Sequence, residues 1–202
     1  MIQQEYHRED FTEIIKLLGG MWIVEWFNAN QNRQLNNLGI LPRTATGLVG
    51  IPASPFLHGS KEHIISNSVP LLLFGGSLAL YGKKIFWNST AQIATVGGLL
   101  VWAFARKNIH VGASGLAFGY FGHLLAQSYY NKDLLSMGMA SLLMWGYQKG
   151  LLGALPTMPG TSWEAHSAGL LAGIIAARSH KNTIIRHGKK LRDRRSGRFV
   201  TA

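Results

Sequence analysis

Six stretches of roughly 20 mostly apolar residues divide this chain of 202 residues. They run from about Phe11 to Asn28, Glu62 to Tyr81, Phe86 to Ala105, Val111 to Tyr129, Leu134 to Leu152, and Trp163 to Ala177. Hydrocarbon offers the backbone no hydrogen bonds, so a chain built this way has to satisfy them inside helices. The pattern therefore predicts an all-α, polytopic membrane protein of six transmembrane helices. A mean hydropathy of only +0.10 hides the segregation behind it. Nine of the twenty Lys and Arg fall in residues 178–202, and the 24 glycines suit close helix packing in lipid. The first stretch is the least apolar, with Glu13, Lys16 and Glu25, while Trp22, Trp26 and Phe27 suit a membrane interface.

One domain over residues 1–180 is expected, followed by a basic tail over 181–202. The net charge of +11 concentrates in that tail, directly after an apolar stretch. Topology control and attraction to anionic lipid headgroups explain it, and no nucleic-acid partner is expected. Without cysteine there is no disulfide or thiol chemistry. Residues 1–10 are polar and lack the basic-then-apolar pattern of a cleaved signal. The tail, Lys83 with Lys84, and Lys132 all fall on one side of a six-span chain, with both termini, and that side is the cytoplasmic one. Arg106 and Lys107 fall on the other. Between the first two stretches lies a loop of about thirty residues, with Pro42, Pro52, Pro55 and the apolar run Leu48–Ile51. Its apolar content predicts a folded or interfacial element.

In this topology the even-numbered spans all start at the outer face. Ser114 opens the fourth, His166 the sixth, and His63 and Asn67 the second, so all four sit at one depth. Polar side chains there are expensive and point to function. Serine and histidine suit a nucleophile and its general base. His63 and Asn67, four apart, share a helix face and offer donors for an oxyanion hole. The fourth stretch carries small residues at 115, 119, 122 and 126, and the sixth at 165, 169, 173 and 177. That spacing lets two helices approach closely. Phe118, one turn below Ser114, is placed to stack on the His166 imidazole.

On these residues the chain resembles the rhomboid intramembrane serine proteases. The family's Gly-x-Ser-Gly is Gly112 to Gly115, with the aromatic residue at Phe118. Its Ala-His-x-x-Gly-x-x-x-Gly is Ala165 to Gly173, with Gly169 and Gly173, and its His-x-x-x-Asn is His63 and Asn67. The resemblance implies the six-span rhomboid-like bundle of the small bacterial forms, sited in the bacterial inner membrane. It implies Ser114 as nucleophile, His166 as base, and the Ser114 amide, His63 and Asn67 as the oxyanion hole. It also implies an intramembrane endopeptidase that cuts single-span membrane proteins near the outer face and needs no cofactor or metal. The first loop would lie partly in the outer leaflet, and the fifth span with residues 153–162 would gate entry. The Trp-Arg pair of many first loops is absent, since Arg33 and Arg43 have no adjacent Trp.

None of Asp10, Asp133 and Asp193 is at the outer side, and Glu164 should point away from His166, which leaves a Ser–His dyad. Two other classes remain open. One is an inactive relative that binds transmembrane helices. The other is a metal-binding transporter, suggested by His58, His63, His110 and His166, although no His-Glu-x-x-His is present. His123 is expected to hydrogen-bond a neighbouring helix, Glu25 to be interfacial or bonded to the long loop, and His7, His180 and His187 to be solvated. Met144 and Trp145 are weak gate candidates.

Overall fold

The computed structural model describes residues 10–131, 162–182 and 185–186. Seven α-helices are named here: α1 Asp10–Asn30, α2 Ala45–Ala53, α3 Lys61–Pro70, α4 Gly76–Ala79, α5 Lys83–Phe104, α6 Ser114–Asn131 and α7 Trp163–Ser179. The all-α expectation holds. Among the described residues the one extended pairing is an isolated bridge between Ile40 and His110. The first apolar stretch is α1, the third α5, the fourth α6 and the sixth α7. The fifth, with Met137, Met139, Met144 and Trp145, lies outside the described residues, as do the gate loop up to residue 161, His7, His187 and the end of the tail.

The second stretch is α3 and α4, joined by a π turn at Leu71–Gly75. Pro70 lacks the N–H that would close a regular turn, and the widened turn follows directly. Gly75 then lies against Ile14 and Tyr120, where an added Cβ would come within 2.7 Å and 2.9 Å of their side chains. This brings the second stretch onto both α1 and α6.

The main core draws Ile14, Leu17 and Met21 from α1, Phe86 and Ile93 from α5, and Leu116, Tyr120 and Phe121 from α6. Thr90 and Tyr120 exchange a buried hydrogen bond of 2.8 Å between α5 and α6. Of the charged residues that weaken α1 as a span, Glu13 and Glu25 turn inward while Lys16 stays exposed. Glu13 accepts hydrogen bonds from Lys16 at 2.9 Å and from the Trp87 indole at 2.6 Å. Trp22, Trp26 and Phe27 are exposed on the other face.

The long first loop is folded, as its apolar content predicts. Thr44 caps α2 by accepting from the Gly47 amide at 3.0 Å. Gly98 of α5 admits α2, for a Cβ there would approach Ile51 to 2.6 Å. Arg43 donates to the carbonyls of Ala103 and Ala105, and the Trp102 indole donates to the Thr44 carbonyl at 2.8 Å. A tryptophan and an arginine therefore do pin this loop, but from residues 59 apart (102 − 43).

Helix α7 lies between α5 and α6. Cβ atoms at Gly169 and Gly173 would collide with the carbonyls of Gly115 and Gly119, and one at Gly122 with Leu170. On the other side, Gly97 leaves ordinary contact distances of 3.6 Å to Ala172 and Gly169. The small-residue rows read from the sequence thus meet backbone to backbone. Among the described residues, no helix is long and apolar enough to cross a membrane. Charged and amide side chains in α1 and α5, polar ones such as His123 and Gln127 in α6, the break at Pro70 that ends α3, and the short length of α7 account for that.

Candidate active site

Gly112 sets the geometry. Its φ of +118° belongs to a region that L side chains rarely adopt, and it turns the chain into α6. Its amide donates to the Ser54 carbonyl at 2.9 Å, which anchors the turn on the first loop. Ser114 is the first residue of α6, so its amide is among those that have no acceptor within the helix.

His63 and Asn67 converge on this turn from α3. A Cβ built on Gly112 would lie 2.8 Å from Nε2 of His63 and 3.5 Å from Nδ2 of Asn67. Only a glycine leaves that space open. The Asn67 Nδ2 atom is buried and has no hydrogen-bond partner among the described residues. An orphaned buried donor is costly, and it is useful where an acceptor appears only during reaction. Ser60 positions this helix by capping it, accepting from the His63 amide at 3.1 Å.

His166 arrives from α7, in the first turn after the cap at Ser162. Its ring stacks on Phe118 with centroids 4.4 Å apart and 10° between planes, the arrangement expected from the sequence. The backbones that carry the two candidate dyad residues touch, because Gly115 leaves 3.4 Å between a built Cβ and the Ala165 carbonyl. Glu164 is turned away to an ion pair with Arg106 at 3.0 Å. This pair accommodates Arg106, the residue at odds with the charge rule.

Several contacts near the site give residues a role other than the one the sequence suggests, or a partner it does not name. His110 bonds the Ser162 hydroxyl through Nδ1 at 2.7 Å and the Arg106 carbonyl through Nε2 at 3.1 Å. It thereby ties the segments that lead into α6 and α7. A serine at each helix start is a visible cap signal for Ser60 and Ser162, but the His110 contact has no local signature. Glu25 is bonded to the long loop, through Arg33 at 2.7 Å. Two expectations are corrected. Both ring nitrogens of His123 are buried without a hydrogen-bond partner among the described residues, because its helix meets α7 at Gly173 too closely for a polar side chain to intervene. His180 is half-buried and lies 3.4 Å from the Gln92 side chain, drawn in as the cap of α7. Among the described residues, no three His, Asp or Glu gather as metal ligands.

His58, in the first loop, is fully buried beside His63, with ring centroids 5.2 Å apart. Burial pushes its pKa down to about 4, with the charges of His63 and Arg33 adding to this. Below an ordinary value of 6.5 the unfolded chain binds a proton here that the folded chain refuses. Stability is therefore intact above that pH and falls by up to about 3 kcal/mol as pH drops toward 4. Unfolding in detergent at pH 7.5 and 4.5 should show this loss, and His58→Gln should reduce it. An unchanged slope in that variant would contradict the assignment.

The rhomboid domain model matches residues 45–180. An uncharacterized protein of Mycobacterium tuberculosis is 31% identical over 175 residues, covering 82% of this chain and 73% of its own. An uncharacterized protein of Mycobacterium leprae is 29% identical over 173 residues, covering 81% and 68%. RHOMBOID-like protein 4 of Arabidopsis thaliana is 29% identical over 121 residues, covering 59% and 31%. The chain belongs to the rhomboid family. That family consists of membrane proteins and supports intramembrane protease-like function in general, with inactive members among it.

Proposed function

We propose that this chain is an intramembrane serine endopeptidase acting through a Ser114–His166 dyad on single-span membrane proteins. The observation that carries the reading is the convergence of His63 Nε2 and the orphaned Asn67 Nδ2 on the turn before Ser114. The Asn67 donor has no partner among the described residues, and both groups fit an oxygen that becomes negative in a transition state. In the proposed reaction the substrate helix unwinds to expose a carbonyl. Ser114 Oγ attacks its carbon and His166 takes the hydroxyl proton. The oxyanion receives hydrogen bonds from His63, Asn67 and the Ser114 amide. His166 returns the proton to the leaving amine, and water then hydrolyses the acyl-enzyme. No metal or cofactor enters.

The membrane setting is supported by how polarity is distributed. Glu13, Glu25, Asn28, Asn67, His123 and Gln127 are buried, while Ile23, Trp26, Val69, Leu73, Phe104 and Ile175 are exposed. An apolar exterior this extensive suits lipid. The proposed arrangement has six spans, both termini in the cytoplasm of a bacterial cell, and residues 181–202 as a tail attracted to anionic lipids.

Labelling with a fluorophosphonate tests the reading. Wild type should label, and Ser114→Ala and His166→Ala should not. Ser162 also bonds an imidazole, so Ser162→Ala is the control and should still label, more slowly where loss of its cap loosens the start of α7. No label on wild type would favour an inactive helix-binding relative. For Asn67→Ala, kcat on a transmembrane peptide should fall by about 10²–10³-fold with little change in KM. A loss confined to KM would remove Asn67 from the oxyanion hole.

A further inference from the structure

We infer that Arg33, held by Glu25, is a positioning residue that fixes the tautomer and ring orientation of His63. This deepens the proposed reading, since it rests on His63 as an oxyanion donor. Arg33 has a left-handed backbone, with φ of 59°, and its amide donates to the Asn28 carbonyl at 2.8 Å. Its Nη1 atom lies 2.7 Å from Glu25 Oε1 and donates to the His58 carbonyl at 2.9 Å. Asn36 donates to the same carbonyl at 3.1 Å and accepts from Asn28 at 2.8 Å. Asn28 also accepts from the Leu35 amide at 3.1 Å. Glu25, Asn28 and His58 are all buried.

The His58 carbonyl belongs to the same peptide group as the Gly59 amide. That amide donates to Nδ1 of His63 at 3.3 Å. An imidazole nitrogen that accepts carries no proton, so the neutral ring carries its proton on Nε2. Nε2, together with the adjoining Cε1, is the edge of the ring that faces the turn at Gly112. A guanidinium and a carboxamide on the carbonyl polarise the peptide and strengthen its N–H as a donor. They also hold residues 58–59 in place against α1. The buried Glu25 charge, in turn, is held by the partly exposed Arg33, and Glu25 would be costly there without it. The chain thus reads, in order, as Glu25 holding Arg33, Arg33 gripping the 58–59 peptide, and that peptide selecting the donor face of His63.

The test uses Glu25→Gln/Arg33→Gln together, which leaves no unpaired buried charge. In histidine-¹⁵N-labelled full-length protein in micelles, wild-type His63 should show a bare Nδ1 and a protonated Nε2, its signals assigned by their loss in His63→Asn. The double variant should show a mixture of tautomers. Its kcat should fall about tenfold with KM within about twofold, a part of the roughly 10²–10³-fold carried by one oxyanion donor. In a His63→Ala background the same pair of changes should cost less than about twofold. An unchanged tautomer, or an equal loss of kcat without His63, would overturn the inference and leave Arg33 a structural residue. Should wild type neither label nor cleave, the protease reading fails, and the tautomer measurement still decides the positioning role.

Discussion

Ser114→Ala is expected to abolish cleavage, lowering kcat on the order of 10⁴–10⁶-fold. The same change should alter stability by no more than about 0.5 kcal/mol, because the hydroxyl sits on a partly exposed first helical residue and plugs no core space. The separation of these two effects gives the result its meaning. Gly112 through its positive φ, and Gly115 through its contact with Ala165, hold the turn whether or not the hydroxyl is present. His166→Ala should match it in activity, since neither member of a dyad works alone. Stability should fall further there, because the imidazole stacked on Phe118 is buried. Cleavage that persists in Ser114→Ala would remove this serine as the nucleophile.

Gly173→Ala is expected to cost about 3 kcal/mol and most of the activity. The added methyl would meet the backbone of Gly119 and the amide of His123, and a backbone cannot swing aside as a side chain can. Helices α6 and α7 would separate, and with them the residues at their starts. Two comparisons make the result interpretable. Gly97→Ala, on the other flank of α7, meets only ordinary contacts at 3.6 Å and should be tolerated. Gly19→Ala, with nothing within 4 Å of the new methyl, should stabilise by about 0.5–1 kcal/mol through helix propensity. Thermal unfolding and cleavage rates measured on the three variants distinguish a seam that excludes a methyl from a general sensitivity of glycines. Wild-type behaviour in Gly173→Ala would contradict the packing of this seam.

The sequence disclosed what depends on local pattern. Apolar runs located α1, α5, α6 and α7, and small residues every three or four positions foretold the contact of Gly115 with Gly169 and Gly119 with Gly173. The four-residue spacing placed His63 and Asn67 on one face, and both reach the Gly112 turn. What stayed hidden depends on side chains meeting across long stretches of chain. Glu25 is expected at the interface or on the long loop, but Arg33 as its partner, Arg43 with the end of α5, and His110 with Ser162 have no period and no spacing to betray them. His123 was misjudged for a related reason. A histidine in an apolar helix suggests a polar partner, but the tightness of the glycine seam decides which groups can come near it. The inward turn of Glu13 and Glu25 was equally invisible, because a charge in an apolar run does not say which side of the helix it occupies.

The seam between α6 and α7 has a mechanical meaning. With no room for one methyl at Gly169 or Gly173, and with Arg106–Glu164 and His110–Ser162 fastening its outer end, these two helices behave as a fixed anvil. The two backbones leave no gap through which another polypeptide could pass. Under the proposed reading, any door for a substrate must be cut elsewhere in the wall, and Ser114 would stay still while the substrate is brought to it.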